Sequence, residues 1–113
     1  MFTKKVPKKG ILYWVNFSPT QGHEQAGRRP ALVVSSDYFN TRSGGIVWAI
    51  PITSKVTGAG KLTVPEGLPI SGAFILSQIR TLDANAREFD EIGSIPQDLL
   101  DDICGRLASV LVG

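Results

Sequence analysis

The sequence predicts a mainly β fold with a C-terminal α-helix. Three observations carry that expectation. Up to about residue 92, short apolar runs alternate with turns bearing Gly and Pro. Nothing in that part is long enough for a crossover helix, so parallel βαβ units are not expected. From Ser94 onward the apolar residues recur at helical spacing instead. Short strands joined by tight turns favour a small, strongly bent barrel or sandwich. At 113 residues the chain is expected to be one domain, 1–113.

The elements follow in order. Residues 1–9 read as a basic arm ended by Pro7, and Gly10 gives a turn. Ile11 to Phe17 reads as a first strand. Tyr13, Val15 and Phe17 share one face, and Leu12, Trp14 and Asn16 the other. Both faces are largely apolar, so this strand is expected to be central. Pro30 forces Arg29 into an extended conformation, and Ala31 to Ser35 reads as the second strand. A short helical turn over Asp37 to Phe39 and a loop over Asn40 to Gly45 lead to a third strand, Ile46 to Ile52. Pro51 removes a ladder donor there and should mark a bulge or strand end. Lys61 to Val64 and Gly72 to Ile79 read as further strands, with a last short one near Leu82 or within Ala86 to Ile92. The final helix is placed at 94–112. Ser94-Ile95-Pro96-Gln97 fits a capping box with proline in the first turn. Asp98, Asp101 and Asp102 suit a helix N-terminus. Leu99, Ile103, Leu107 and Val110, widened by Leu100, Cys104, Ala108 and Leu111, make an apolar face broader than one barrel flank needs. A second subunit is the expected cover.

Composition bounds the function. Apolar content of 42% and mean hydropathy of +0.07 indicate a globular chain. The net charge is only +2, but its distribution is uneven. Through Arg42 there are seven basic and two acidic residues, whereas Asp83 to Asp102 holds seven acidic and one basic. The first part suits a nucleic acid and the second a basic peptide. The lone Cys104 gives neither an intrachain disulfide nor a cysteine-rich zinc site, and reads as a small buried hydrophobe. No apolar run approaches the ~20 residues of a membrane span, and the N-terminal lysines lack a following apolar region. A cytoplasmic protein is expected.

The chemistry concentrates in Gly22-His23-Glu24-Gln25-Ala26-Gly27-Arg28-Arg29-Pro30, where the only histidine, a carboxylate and two arginines fall within seven residues. There is no histidine pair and no cysteine pair for a protein-built zinc site. Glu24, Asp37 and Asp83 could bind magnesium jointly, but their spacing does not require it, and no cofactor is expected. Phosphate-loop and nucleophile-elbow motifs are missing. What remains suits cleavage of RNA, which carries its own nucleophile in the 2′-OH. Glu24 or His23 could accept a proton. Arg28 and Arg29 could grip a phosphate by their fork geometry, and Thr53 could donate a hydrogen bond to it. Each also has a plain structural reading. His23 can be a surface residue, Glu24 and an arginine an ion pair, and Thr53 an ordinary strand-end threonine. Trp14 and Trp48 read as core, with a base-stacking platform as the alternative.

The order Pro7, Gly10, Trp14-Val15, Phe17, Pro19-Thr20, Gly22, Glu24-Gln25-Ala26-Gly27, Arg29-Pro30-Ala31 resembles the MazF/PemK family of toxin endoribonucleases. Val33, Ser35, Phe39-Asn40, Pro51-Ile52-Thr53-Ser54, Gln78-Ile79-Arg80 and Gly105-Arg106-Leu107 extend the resemblance from about residue 7 to the end. It implies a small SH3-like barrel closed by a C-terminal helix, assembled as a homodimer. It also implies metal-independent, sequence-specific cleavage of single-stranded RNA to 2′,3′-cyclic phosphate and 5′-hydroxyl ends, and a cognate antitoxin that blocks the RNA groove. The resemblance assigns Glu24, Arg29 and Thr53 to catalysis. His23, Arg28, Gln25, Ser77 and Gln78 are the candidate RNA contacts. PemK-like members carry an arginine and an aspartate where this chain has Ile75 and Ser77. That acid–base pair is absent here, which places more of the work on Arg29. Two other functions fit the same fold: a non-enzymatic module binding nucleic acid or peptide, and a gyrase-directed toxin.

Overall fold

The computed structural model describes residues 5–17 and 27–113. Among these residues, seven strands and two helices are formed: β1 (Ile11–Asn16), β2 (Arg28–Val33), α1 (Asp37–Arg42), β3 (Ile46–Thr53), β4 (Lys61–Thr63), β5 (Ala73–Ile75), β6 (Arg80–Asp83), β7 (Phe89–Ser94) and α2 (Gln97–Val112). A single 3-10 turn, Leu76–Gln78, joins β5 to β6. The strands run in the order β4-β5-β3-β2-β1-β7, with β6 also on β3. All their pairings are antiparallel. The sheet curls into a small barrel, and α2 packs across it.

The curl originates at β3. Its first half pairs with β6 through Ile46 to Ala49, and its last two residues pair with β5. Pro51 stands between the two partners, where a missing N–H breaks neither ladder. Proline therefore marks a change of partner inside the strand, rather than the strand's end.

Two apolar clusters fill the two faces. Leu12, Leu32, Ile50, Ile52 and Phe74 pack under Leu100 and Ile103 of α2. Tyr13, Val15, Phe17, Ala31, Val33, Val47, Ala49 and Leu82 form the second cluster. Strands β1 to β3 feed both, which is why β1 is apolar on both sides and central, between β2 and β7.

Several boundaries differ from the sequence reading. Strand β2 begins at Arg28, because Asn16 and Val15 pair with Arg28 and Arg29 and hold them in the ladder. Helix α1 runs on to Arg42. The Ser36 hydroxyl caps it by accepting from the Phe39 N–H at 3.1 Å, and Asn40 is fully buried. The Asn40 amide donates to the Pro7 carbonyl at 3.0 Å and accepts from the Ser35 hydroxyl, which also accepts from the Trp48 N–H. One asparagine thus ties residue 7 to β3. The chain between Asp83 and Phe89 turns, so the last strand is split into β6 and β7. The capping box at Ser94 does not form. Ser94 ends β7 opposite Ile11, and the Ile95 N–H donates to the Gly10 carbonyl at 3.1 Å, which keeps this stretch extended. Helix α2 starts at Gln97, with Pro96 as its cap and no side-chain cap bond.

Trp14 and Trp48 are not core residues, with 38% and 44% of their surface exposed. Trp14 lies between Pro30 and Asp90 on the ladder, beyond the part of the sheet under α2. Trp48 meets the Phe39 ring edge-on at 5.9 Å outside the barrel. Cys104 is half-buried on the edge of the helix-side core.

Candidate active site

The charged segment connects β1 to β2 in the sequence. Its base is closed by backbone: the Phe17 N–H donates to the Gly27 carbonyl at 2.8 Å. Gly27 has φ +78, a conformation that favours glycine. His23, Glu24 and Gln25 lie outside the described residues. Arg28 and Arg29 lie within them, at the start of β2.

Arg28 is fixed from two sides. Its Nη2 donates to Asp90 Oδ2 of β7 at 2.7 Å, and its guanidinium lies 5.7 Å from the centre of the Trp14 ring. Trp14, Arg28 and Asp90 form one exposed, polar and aromatic surface across β7, β1 and β2. Arg29 is half-buried, opposite Val15.

Thr53 ends β3 and is 9% exposed. Its Oγ1 accepts from the Lys55 N–H at 3.2 Å. The β2–β3 ladder reaches the pair Ala31 and Pro51. Extending that antiparallel register by two residues brings Arg29 level with Thr53. Ala31 and Ala49 of the same two strands belong to the barrel-side cluster, so Arg29 and Thr53 share that face by the alternation of the strands.

A third basic group stands near the loop. The Arg80 guanidinium lies 5.3 Å from the centre of the Phe17 ring, and Phe17 is the last described residue before the loop. The sequence reading had Arg80 only as part of a matched string. Its signal was the isolated cation following Gln78-Ile79, and only tertiary structure brings it to Phe17.

Ser77 and Gln78 are exposed on the 3-10 turn. Ser77 lines an open groove of about 850 Å³ with Trp48, Lys61, Leu76, Arg106 and Leu111. Neither Arg29 nor Thr53 lines that groove, so within one chain Ser77 belongs to a neighbouring surface. Ile75 is buried opposite Lys61 and offers no acid or base. Among the described residues, no three His, Cys, Asp or Glu side chains form a group that could hold a metal ion, and no helix is long and apolar enough to cross a membrane.

The model of the PemK-like, MazF-like toxins of type II toxin–antitoxin systems matches residues 8–111. The chain belongs to that family. The endoribonuclease toxin MazF of Escherichia coli K12 is 33% identical over 113 residues, covering 100% of both chains. The endoribonuclease PemK of Escherichia coli is 30% identical, covering 92% of this chain and 81% of PemK. Among solved structures, MazF from Deinococcus radiodurans is 39% identical and superposes with a TM-score of 0.84 over 97% of this chain and 100% of that one. A chain in the crystal structure of MazE–MazF from the same organism is 39% identical, with a TM-score of 0.81 over 96% of this chain and 97% of that one. The SH3-like barrel with its C-terminal helix is thus the family fold, and membership in this family of toxin nucleases rests on nearly the whole chain.

Proposed function

We propose that this chain is the toxin of a toxin–antitoxin pair. In this reading it is an endoribonuclease that cuts single-stranded RNA, including mRNA, at short sequence motifs without a metal, and so stops translation and growth. The observation that carries the reading is the β2–β3 register, which sets Ala31 against Pro51 and so puts Arg29 and Thr53 two residues further along the same two strands.

The chemistry follows from those groups. The 2′-OH of the RNA attacks the adjacent phosphate, giving a 2′,3′-cyclic phosphate and releasing a 5′-hydroxyl. Arg29 stabilises the negative phosphorane and supplies a proton to the leaving 5′-oxygen, directly or through water. Glu24 orients the 2′-OH, and Glu24 or His23 takes its proton. Thr53 Oγ1 already accepts from the Lys55 N–H, which leaves its hydroxyl proton to donate to a phosphate oxygen. Arg28, stacked on Trp14, binds the strand nearby with His23 and Gln25. Ser77 and Gln78 contact it further along. By analogy with the MazE–MazF complexes of Deinococcus radiodurans, the partner protein is an antitoxin. A second copy of this chain covers the apolar end of α2.

The test is incubation of the purified protein with a long single-stranded RNA in EDTA, followed by mapping of the 5′ ends. Cleavage at a recurring motif is expected. Arg29→Ala should reduce the rate by about 100-fold or more, the usual cost of one lost transition-state donor, with folding intact. Retardation of the RNA without cleavage would sink the nuclease reading in favour of a binding module. Cleavage that needs added magnesium would overturn the metal-free mechanism.

A further inference from the structure

We propose that Lys61 is a positioning residue that struts the β3–β4 loop, residues 54–60, and through it sets which RNA sequences reach Thr53. This rests on the nuclease reading above, and it concerns a side chain to which that reading gives no role.

The loop leaves β3 at Thr53 and returns at β4. Its two ends are tied. At the start, the Lys55 N–H donates to Thr53 Oγ1. At the finish, the Gly60 carbonyl accepts from the Leu76 N–H at 2.8 Å, and Gly60 lies so close to Ser77 that a Cβ there would stand 2.7 Å from the serine hydroxyl. The middle is exposed, and Gly58 in it has φ +126. Among the described residues, the hydrogen bonds to carbonyls in this middle come from Lys61. Its Nζ donates to the Lys55 carbonyl at 3.2 Å and to the Thr57 carbonyl at 2.8 Å.

The stem of Lys61 is anchored, since the residue sits in β4 opposite Ile75 and is half-buried. An ammonium on such a stem fixes two carbonyls at once, and charged donors make the stronger hydrogen bonds. The contacts form a line. Lys61 holds the Lys55 carbonyl, and the same residue's N–H holds the Thr53 hydroxyl. Loss of the ammonium frees the loop and loosens the orientation of a group aimed at the phosphate. Gly58 leaves the ammonium its space, because a Cβ at that position would lie 3.4 Å from Nζ. The competing role is that of an ordinary phosphate-binding lysine, and the two roles predict different measurements.

Three forms of the full chain decide between them: wild type, Lys61→Met and Lys61→Arg. Hydrogen exchange at the amides of residues 54–60 should speed up by about tenfold or more in K61M and stay near wild type in K61R. On a long single-stranded RNA, K61M should lose kcat with little change in KM, and should cut at sites the wild type passes over. The dependence of KM on salt should be unchanged. Unaltered exchange in K61M would overturn the strut. An unchanged cleavage pattern, with a higher KM and a salt slope reduced by about 0.7, the value for one phosphate contact on a single strand, would make Lys61 a phosphate ligand instead. If the wild type cuts no RNA, the nuclease reading and the specificity role fall together, while the exchange measurement still decides the strut.

Discussion

Thr53 owes its place to a residue without a side chain. Gly72 approaches it so closely that a Cβ would lie 2.2 Å from the Thr53 carbonyl oxygen, and its φ of +124 excludes most side chains in any case. Strand β5 can close on the end of β3 only with glycine there. Gly72→Ala should therefore destabilise the fold by about 1–3 kcal/mol through backbone strain and displacement. It should also reduce RNA cleavage, because the threonine hydroxyl moves with its backbone. Thermal unfolding and a cleavage assay on the same preparation check this, and an unchanged Tm would contradict the steric argument. The Arg28–Asp90 pair is a different case. Both side chains are about half exposed, at 56% and 51%, so the pair contributes under about 1 kcal/mol. What it supplies is orientation, holding the guanidinium over Trp14. Arg28 stood out in the sequence because charge is crowded there. Asp90 did not, being one acid in an acidic run, and only the β1–β7 register brings it to Trp14.

At the scale of elements, β1 also anchors the arm before it. Tyr13 is buried against Phe89, with the rings edge-on at 5.5 Å, and its hydroxyl accepts from the Lys8 N–H at 2.9 Å. Burial pushes the tyrosine pKa above its usual value, the Glu91 and Asp37 carboxylates add to the rise, and the Lys8 N–H opposes it. The folded chain therefore keeps the phenolic proton more tightly than the unfolded chain does. That contribution is whole below about pH 10, where the unfolded tyrosine titrates. It is lost as pH rises through the higher folded value. The Tm advantage of wild type over Tyr13→Phe should be constant up to about pH 10 and shrink above it. A gap that stays constant through the alkaline range would count against the buried-hydroxyl account. The elements best legible in the sequence were those whose own burial writes a pattern, namely β1, β3 and α2. The start of β2 was hidden because Arg28 and Arg29 are extended by their ladder partners, not by apolar alternation. The start of α2 was misplaced because Ser94 pairs with Ile11, a long-range contact that outweighs a local capping motif. The charged string was legible in the sequence, whereas the register that sets Ala31 against Pro51, with Arg29 and Thr53 two residues further along, was not.

At the scale of the whole molecule, the described residues leave an apolar surface uncovered at the end of α2. Leu100 and Ile103 of α2 are buried, but Val110, Leu111 and Val112 are 82%, 81% and 88% exposed. Leu111 lines the groove that also takes in Trp48, Ile79 and Leu107, together with Lys9, Lys61 and Arg106. Exposed apolar side chains beside charged ones suit a protein interface. The breadth of the helical face already suggested a second copy, and the structure locates the excess in its last turn. Leu111→Lys separates the possibilities. In an isolated chain, a substitution at so exposed a position should change stability by no more than about 0.5 kcal/mol. In a dimer built on this surface, the same lysine would be buried without a partner and association should be lost. Sedimentation at micromolar concentration is expected to give a dimer for wild type and a folded monomer for L111K. A wild-type monomer, or a variant that still dimerises, would remove this surface from the assembly. The monomeric variant would then be assayed on RNA. Ser77 and Lys61 line the same groove, so covering it with a second copy would bring the 3-10 turn and the strutted loop to the edge of the interface. Weaker RNA binding by L111K would place the RNA path along that edge, whereas unchanged binding would confine it to the surfaces around the start of β2 in a single chain.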